Sequence, residues 1–444
     1  MKSYNGVNFF AKKNFKADLK RSRLYIILTA ITMAIIFNLI NISYNNIYTT
    51  TKQYYTKGIT NDFSRLTTYS YPITLIQKQN LLIVVLITML FAAICNANYI
   101  KRRAKEIGFV ILNGGSLIDV MKYLMYMTGR CYFISLIIGT LIAIVLMPII
   151  SYIMNFSNGK EISLFSLNLE ALGISLIYIV MQYILLIILN ISFVVKREVI
   201  ELLNIERTID ISDNRQVKIP SIIFVLLYLI PIILAVLSQD FEGLENLTNV
   251  IILVGILGIF GVIRFFIPKF IDKLKKKNFM HKGVRRIYYC NFIYSLSNSI
   301  IYILAFISSI SYFIYNVVKF KRYDGMTEMN MFSIFLCSFI ITSSLLYKLL
   351  VDTDEKMYIY WQLKRIGYNK SHILDIVVKD SILFFLISMM LPIVLIISSL
   401  VSYVKSGIYD FNLAVYSLVI VLIPIIIISI IAVVLNRKKV KESL

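Results

Sequence analysis

The residues of this chain whose types and spacing could do chemistry gather in one basic stretch, Lys101–Arg130, KRRAKEIGFVILNGGSLIDVMKYLMYMTGR, which returns in altered form at Val351–Lys379. What these residues are suited to is mechanical. Lys101–Leu112 reads as a helix running out of the preceding apolar run, and Gly114-Gly115 supply the left-handed residue that stops it. Ser116, with Asp119 three residues on, forms a capping box for a second helix carrying Leu117, Ile118 and Val120. In the second copy Lys356–Ile366 takes the part of the stalk, Gly367 the stop, and Asn369 or Ser371 the new cap. A helix, a sharp turn and a short helix then make a rigid lever.

Catalytic chemistry is not written here. No GxxxxGK[ST] occurs, so the chain has no P-loop to cradle ATP, and no His, Asp, Glu or Ser constellation falls at one membrane depth. His281 and His372 stand apart without ligand-spaced companions, which speaks against a metal site. The reading is of a protein that is not itself an enzyme.

The elements that must position the two stretches follow from composition. With 58% hydrophobic residues over 444 positions and a mean hydropathy of +0.77, the chain needs a bilayer as solvent. Ten runs are long and uncharged enough to cross about 30 Å of hydrocarbon: Leu24–Ile42, Leu81–Ile100, Cys131–Met154, Ala171–Val195, Ser221–Ser238, Val250–Ile267, Leu296–Val318, Met331–Leu350, Ser381–Val404 and Leu413–Leu435. The fold class is an all-α integral membrane protein of ten transmembrane helices.

Charge sets the orientation. The net charge is +22, and of the 46 Lys and Arg residues 37 fall on the side of the N-terminus under the ten-span reading, an asymmetry that is the positive-inside signature. Both termini are therefore expected in the cytoplasm, with the positive charge facing anionic lipid, and no nucleic acid partner is needed. The basic run Lys269–Arg286 reads as a face solvated beside lipid head groups. Abundant Ile, Lys, Asn and Tyr fits an AT-rich bacterial genome and a multi-pass protein of the bacterial plasma membrane. The N-terminus lacks the features of a cleavable signal. Cys95, Cys131, Cys290 and Cys337 lie in spans or on the cytoplasmic side, so no extracellular disulfide is expected.

Asn14-Phe15, Leu19 and Leu24-Tyr25 return as Asn291-Phe292, Leu296 and Ile301-Tyr302, 277 residues later, whereas Gly114 and Gly367 are 253 apart. The difference sits chiefly in the outer loop Ser43–Asn80, longer than its counterpart Lys319–Asn330. The chain thus divides into a first repeat at 1–195 with its stalk at 101–130, a linker at 196–287 holding spans five and six, and a second repeat at 288–444 with its stalk at 351–380. Two linker spans are an even number, so the four-helix repeats run parallel. The linker Lys196–Pro220 opens with the helical-looking Val199–Asn204. No span holds Asp or Glu in its interior, and Arg264 and Lys348 lie near cytoplasmic ends, which argues against ion-coupled secondary transport. Asn96, Asn98, Gln182 and Asn190 are read as hydrogen-bond glue between helices or as substrate contacts, and Pro148, Pro231, Pro392 and Pro424 as kinks.

Lys105-Glu106-Ile107-Gly108 followed by Leu112-Asn113-Gly114-Gly115-Ser116 resembles the signature of FtsX-like permeases, and Tyr358–Asn369 resembles the degenerate second copy of ten-span permeases of the BceB type. The N-terminal Asn14–Arg23 resembles that family's amphipathic leading helix. The resemblance implies the permease subunit of an ABC transporter, served by two copies of a separate ABC ATPase. ATP and Mg belong to that partner, and this chain carries no cofactor. Glu106, Gly114, Gly115, Ser116, Leu117, Gly367 and Asn369 would be the ATPase-coupling residues. The pattern departs from BceB in one place: the loop between spans seven and eight is Lys319–Asn330 only, where BceB-like chains carry a large extracellular domain. The expected work is export or extraction of an amphipathic substrate, an antimicrobial or secreted peptide first. The alternatives are lipid or lipoprotein handling, and a non-transporting regulator.

Overall fold

The structure, a computed structural model, describes residues 9–15, 19–44, 63–158, 165, 167–195, 220–237, 244–276, 283–319, 326–407 and 409–444. All regular structure among them is helical. Residues 9–15 are followed by α1 Leu19–Tyr44, α2 Phe63–Lys101, α3 Ala104–Leu112, α4 Leu117–Asn158 and α5 Leu169–Val195. Then come α6 Ile222–Leu237, α7 Leu244–Gly261, a π turn at Val262–Phe266, α8 Ile267–Lys276, α9 Gly283–Ser297, α10 Ile300–Lys319, α11 Met326–Arg365, α12 Lys370–Lys405 and α13 Phe411–Ser443. Nine helices among the described residues are long and apolar enough to cross a membrane; Ile222–Ala235, within the expected fifth span, is shorter. This is a multi-pass, all-α membrane protein.

Two compact units are present, Met1–Ile209 with Tyr323–Glu328, and Asp210–Arg322 with Met329–Leu444. In the first, α1 is the enclosed helix, packed on α2, α4 and α5. Lipid is as apolar as leucine, so small residues and interhelical hydrogen bonds must hold such a bundle. A Cβ at Gly139 of α4 would lie 2.7 Å from the Ala30 carbonyl oxygen, so glycine is what lets the two backbones approach. Beside it Ser135 Oγ lies 2.5 Å from Thr29 Oγ1 and 3.0 Å from the Ile26 carbonyl oxygen, and Asn38 Nδ2 donates to the Ala143 carbonyl at 3.2 Å.

In the second unit α11 is the enclosed helix. Its polar residues hide their hydroxyls along its own backbone: Thr342, Ser343 and Thr353 each donate to the carbonyl one turn before, at 2.7, 2.7 and 2.8 Å. Ser338 instead reaches the Val421 carbonyl of α13 at 3.0 Å. At roughly 1.5 Å per residue, the 40 residues of α11 and the 42 of α4 are about twice the length needed for 30 Å of hydrocarbon. Each therefore extends well beyond the membrane.

Four expectations are corrected. The first stalk does not continue out of its span: α2 ends at Lys101, Arg102 and Arg103 form a turn, and α3 starts at Ala104. The cause is Arg103, whose backbone leaves the helix at φ −100°, ψ 6° while its guanidinium is drawn inward. No short helix follows either tip, because no proline lies between Ser116 or Asn369 and the next apolar run; α4 and α12 run straight into their spans. The outer loop Ser43–Asn80 is partly helix, since α2 already begins at Phe63. The seventh span, expected as one run from Leu296, breaks at Asn298 and Ser299 between α9 and α10. Val199–Asn204, residues 277–282 of the basic run, and Tyr48, Tyr54 and Tyr55 of the outer loop lie outside the described residues.

Candidate functional site

The two glycine stops have the same geometry. Gly114 has φ 81° and Gly367 φ 100°, conformations in which a Cβ collides with the carbonyl that follows. In the first tip the Gly115 N–H donates to the Val110 carbonyl at 3.0 Å and the Gly114 N–H to Ile111 at 2.9 Å. In the second the Tyr368 N–H donates to Leu363 and the Gly367 N–H to Lys364, both at 3.1 Å. Each pair is a six-to-one and a five-to-two bond, the arrangement that satisfies the last carbonyls of a helix when the next residue is left-handed. Gly115 is fixed by a second constraint: a Cβ there would lie 2.7 Å from the Val110 carbonyl oxygen.

The caps differ. Ser116 and Asp119 make the expected reciprocal pair, with Ser116 Oγ donating to Asp119 Oδ2 at 2.8 Å and the Asp119 N–H to Ser116 Oγ at 3.3 Å. The Ser116 hydroxyl and N–H, with Lys122 nearby, hold the Asp119 carboxyl below its ordinary 3.8. Asn369 occupies the N-cap of α12 with extended backbone, but its side chain makes no capping bond, and Ser371 lies inside the helix. Both tips expose apolar side chains: Leu112 63%, Leu117 51% and Ile118 60% in the first, and Tyr358 68% and Ile366 76% in the second.

Glu106 is an internal strut. Its Oε2 accepts from Arg103 Nη1 at 3.0 Å and from the Tyr123 hydroxyl of α4. Tyr123 also meets Asn14 Nδ2 at 3.4 Å, and Phe10 lies against both Phe109 and Tyr123. Residues 9–15 thus buttress the first tip. The second tip is buttressed by the end of α13: Val440 packs with Tyr360, Leu363 and Ile376, and Lys364 Nζ donates to the Leu444 carbonyl.

Arg103, Lys356 and Asp380 were not expected as site residues. Arg103 is 4% exposed; its Nη2 donates to Ser22 Oγ of α1 at 3.2 Å, and its guanidinium lies 4.9 Å from the Tyr99 ring centroid. Lys356, 2% exposed, donates to the Asn291 carbonyl at 3.0 Å, Ser295 Oγ at 2.8 Å and Asp380 Oδ2 at 2.9 Å. Two turns earlier on α11, Lys348 pairs with buried Asp352, itself one turn before Lys356, at 2.6 Å. A signal was available: Lys356 follows Arg103 by 253 residues, the offset of the two glycines, so each buried cation sits 11 residues before its stop.

Inside the first unit, Asn96 accepts from the Tyr25 hydroxyl at 3.1 Å and donates to Asn190, and Gln182 Nε2 reaches Thr32 Oγ1 at 3.4 Å. These side chains tie helices to one another, whereas Asn98 Nδ2 is buried without a partner. Among the described residues no group of three or more His, Cys, Asp and Glu is placed to hold a metal ion. No family model matches the chain, and no curated protein matches it.

Proposed function

We propose that the chain is the membrane subunit of a transporter whose energy comes from separate ATP-hydrolysing subunits, docked on the Gly114 and Gly367 tips, and whose substrate is an amphipathic peptide. The observation that carries this reading is the pair of matching six-to-one and five-to-two stops, each beside exposed apolar side chains on a helix too long for the membrane to cover. Two like sites on one chain suit two copies of one partner. Gly114, Gly115, Ser116, Leu117, Gly367 and Asn369 form the docking surfaces, and Glu106 braces the first from within. ATP and Mg are held by the partner; the host membrane is the bacterial plasma membrane, with both termini and both tips in the cytoplasm. The resemblance to FtsX-like permeases supports the same division of labour.

The test is ATP turnover by the complex reconstituted in lipid. Amphipathic cationic peptides should raise turnover in a saturable way. Stimulation by lipid alone, with peptides inert, would move the substrate to the lipid class. No response to either would contradict transport.

A further inference from the structure

The two tips share a stop and a buried cation, but the cations are held in different ways. Arg103 pairs with Glu106, three residues along its own arm, and bonds Ser22 of α1, at a point where the helix is interrupted. Lys356 pairs with Asp380 on the following helix, 24 residues away, and also bonds the Asn291 carbonyl and the Ser295 hydroxyl of α9. Around it α11 runs unbroken from Met326 to Arg365. The pair is 2% and 3% exposed, so water cannot easily replace either partner, and separating the charges would leave each buried and unpaired.

We propose that the two arms are mechanically unequal: the first pivots at Arg102–Arg103, and the second is locked into one piece with its membrane helix by Lys356 and Asp380. At the junction the backbone bonding changes register: the Arg103 N–H turns to the Ile100 carbonyl, three residues back, at 2.8 Å, and α3 opens with the Ile107 N–H on the Arg103 carbonyl at 3.0 Å. A tilt of α3 against α2 therefore breaks no continuous ladder; what it strains are single contacts, the Ile107 N–H bond to the Arg103 carbonyl and the Glu106 bond to Tyr123 of α4, itself part exposed. A tilt of 357–365 against the membrane part of α11 must break both the ladder and a three-way buried bond joining α9, α11 and α12. The functional consequence rests on the docking reading: a partner at the second tip moves a membrane helix directly, and a partner at the first moves an arm that yields before its span does.

Hydrogen exchange followed by mass spectrometry, on the full chain in lipid nanodiscs without partner, tests the inequality independently of that reading. Amides of residues 102–107 should exchange roughly tenfold or more faster than those of 355–360, as a local opening should against a locked one. Equal protection at the two places, or faster exchange at 355–360, would overturn the proposal. Asp380→Asn should speed exchange across 352–366 by roughly tenfold and leave 102–112 unchanged. Ser295→Ala, which removes one acceptor of Lys356, should have a smaller effect in the same segment and serves if Asp380→Asn does not accumulate. No change at 352–366 in the variants that fold would remove the lock. An intact contrast in a chain that binds no ATPase would support the unequal arms and end the docking reading alone.

Discussion

Lys356 shows what a single buried charge does in this protein. Its ammonium is held by three acceptors from two helices, so removing one partner leaves the other charge stranded out of water. Breaking such a pair costs about 3–5 kcal/mol, whereas replacing both partners by apolar residues of similar size is often neutral. Lys356→Met should accordingly lower the melting temperature in detergent sharply, and adding Asp380→Leu should restore most of the loss; an additive double variant would contradict the pair. Gly114 and Gly115 separate in the same manner. Nothing lies within 4 Å of a Cβ at Gly114, so the penalty is the backbone conformation alone, roughly 1–2 kcal/mol for an ordinary residue and less for asparagine. Gly114→Asn should therefore keep partner-driven ATP turnover and Gly114→Val lose it, whereas even Gly115→Ala meets the Val110 carbonyl. Asp119 carries a pH prediction. Its carboxyl is depressed in the folded state, so its contribution to the cap is complete above the unfolded value of 3.8 and is lost as the pH falls through the lowered one. Protection of the amides of 116–119, corrected for intrinsic rate, should stay constant between about pH 5 and 8; loss of protection inside that window would contradict the assignment.

At the scale of elements, helix ends were the readable part and helix interruptions were not. Gly-Gly-Ser-x-x-Asp and a lone Gly367 mark stops because a left-handed residue and a reciprocal cap leave a local signature. The turn at Arg102–Arg103 leaves none: no glycine or proline marks it, and its cause is a contact from Arg103 to Ser22, 81 residues away. The buried cations are silent for the same reason: Arg103 stands in the basic run Lys101–Lys105 and Lys356 directly after the acidic Asp352–Glu355, charged runs that give no local sign of burial, and only their common distance from the glycines distinguishes them. The close crossing of α1 and α4 was equally silent, because Gly139 has no meaning until Ala30 is placed opposite it. Gly139→Leu should force the two helices apart, lowering the yield and melting temperature of the folded chain, while a leucine at Gly173, where a Cβ meets nothing within 4 Å, should be tolerated. Equal behaviour of the two variants would show that the crossing does not depend on the close approach.

For the whole molecule, composition alone announced a helical membrane protein, because burying 58% hydrophobic residues needs a solvent that water cannot provide. Topology rests on charge: with Lys and Arg concentrated on one side, Thr56→Cys, on a background lacking Cys95, Cys131, Cys290 and Cys337, should react with an impermeant reagent in intact cells, and Asn113→Cys only after permeabilisation. Labelling in the reverse order would invert the orientation and place both tips outside. The central claim, that the tips are where a nucleotide-hydrolysing subunit docks, is tested most directly by purifying the tagged chain from its own membranes in mild detergent, beside a variant with Leu117→Asp, Ile118→Asp, Tyr358→Asp and Ile366→Asp. The account predicts that the native chain carries a separate ATPase and that the tip variant, folded and inserted, carries none; an ATPase retained by the tip variant, or absent from the native chain, would contradict it.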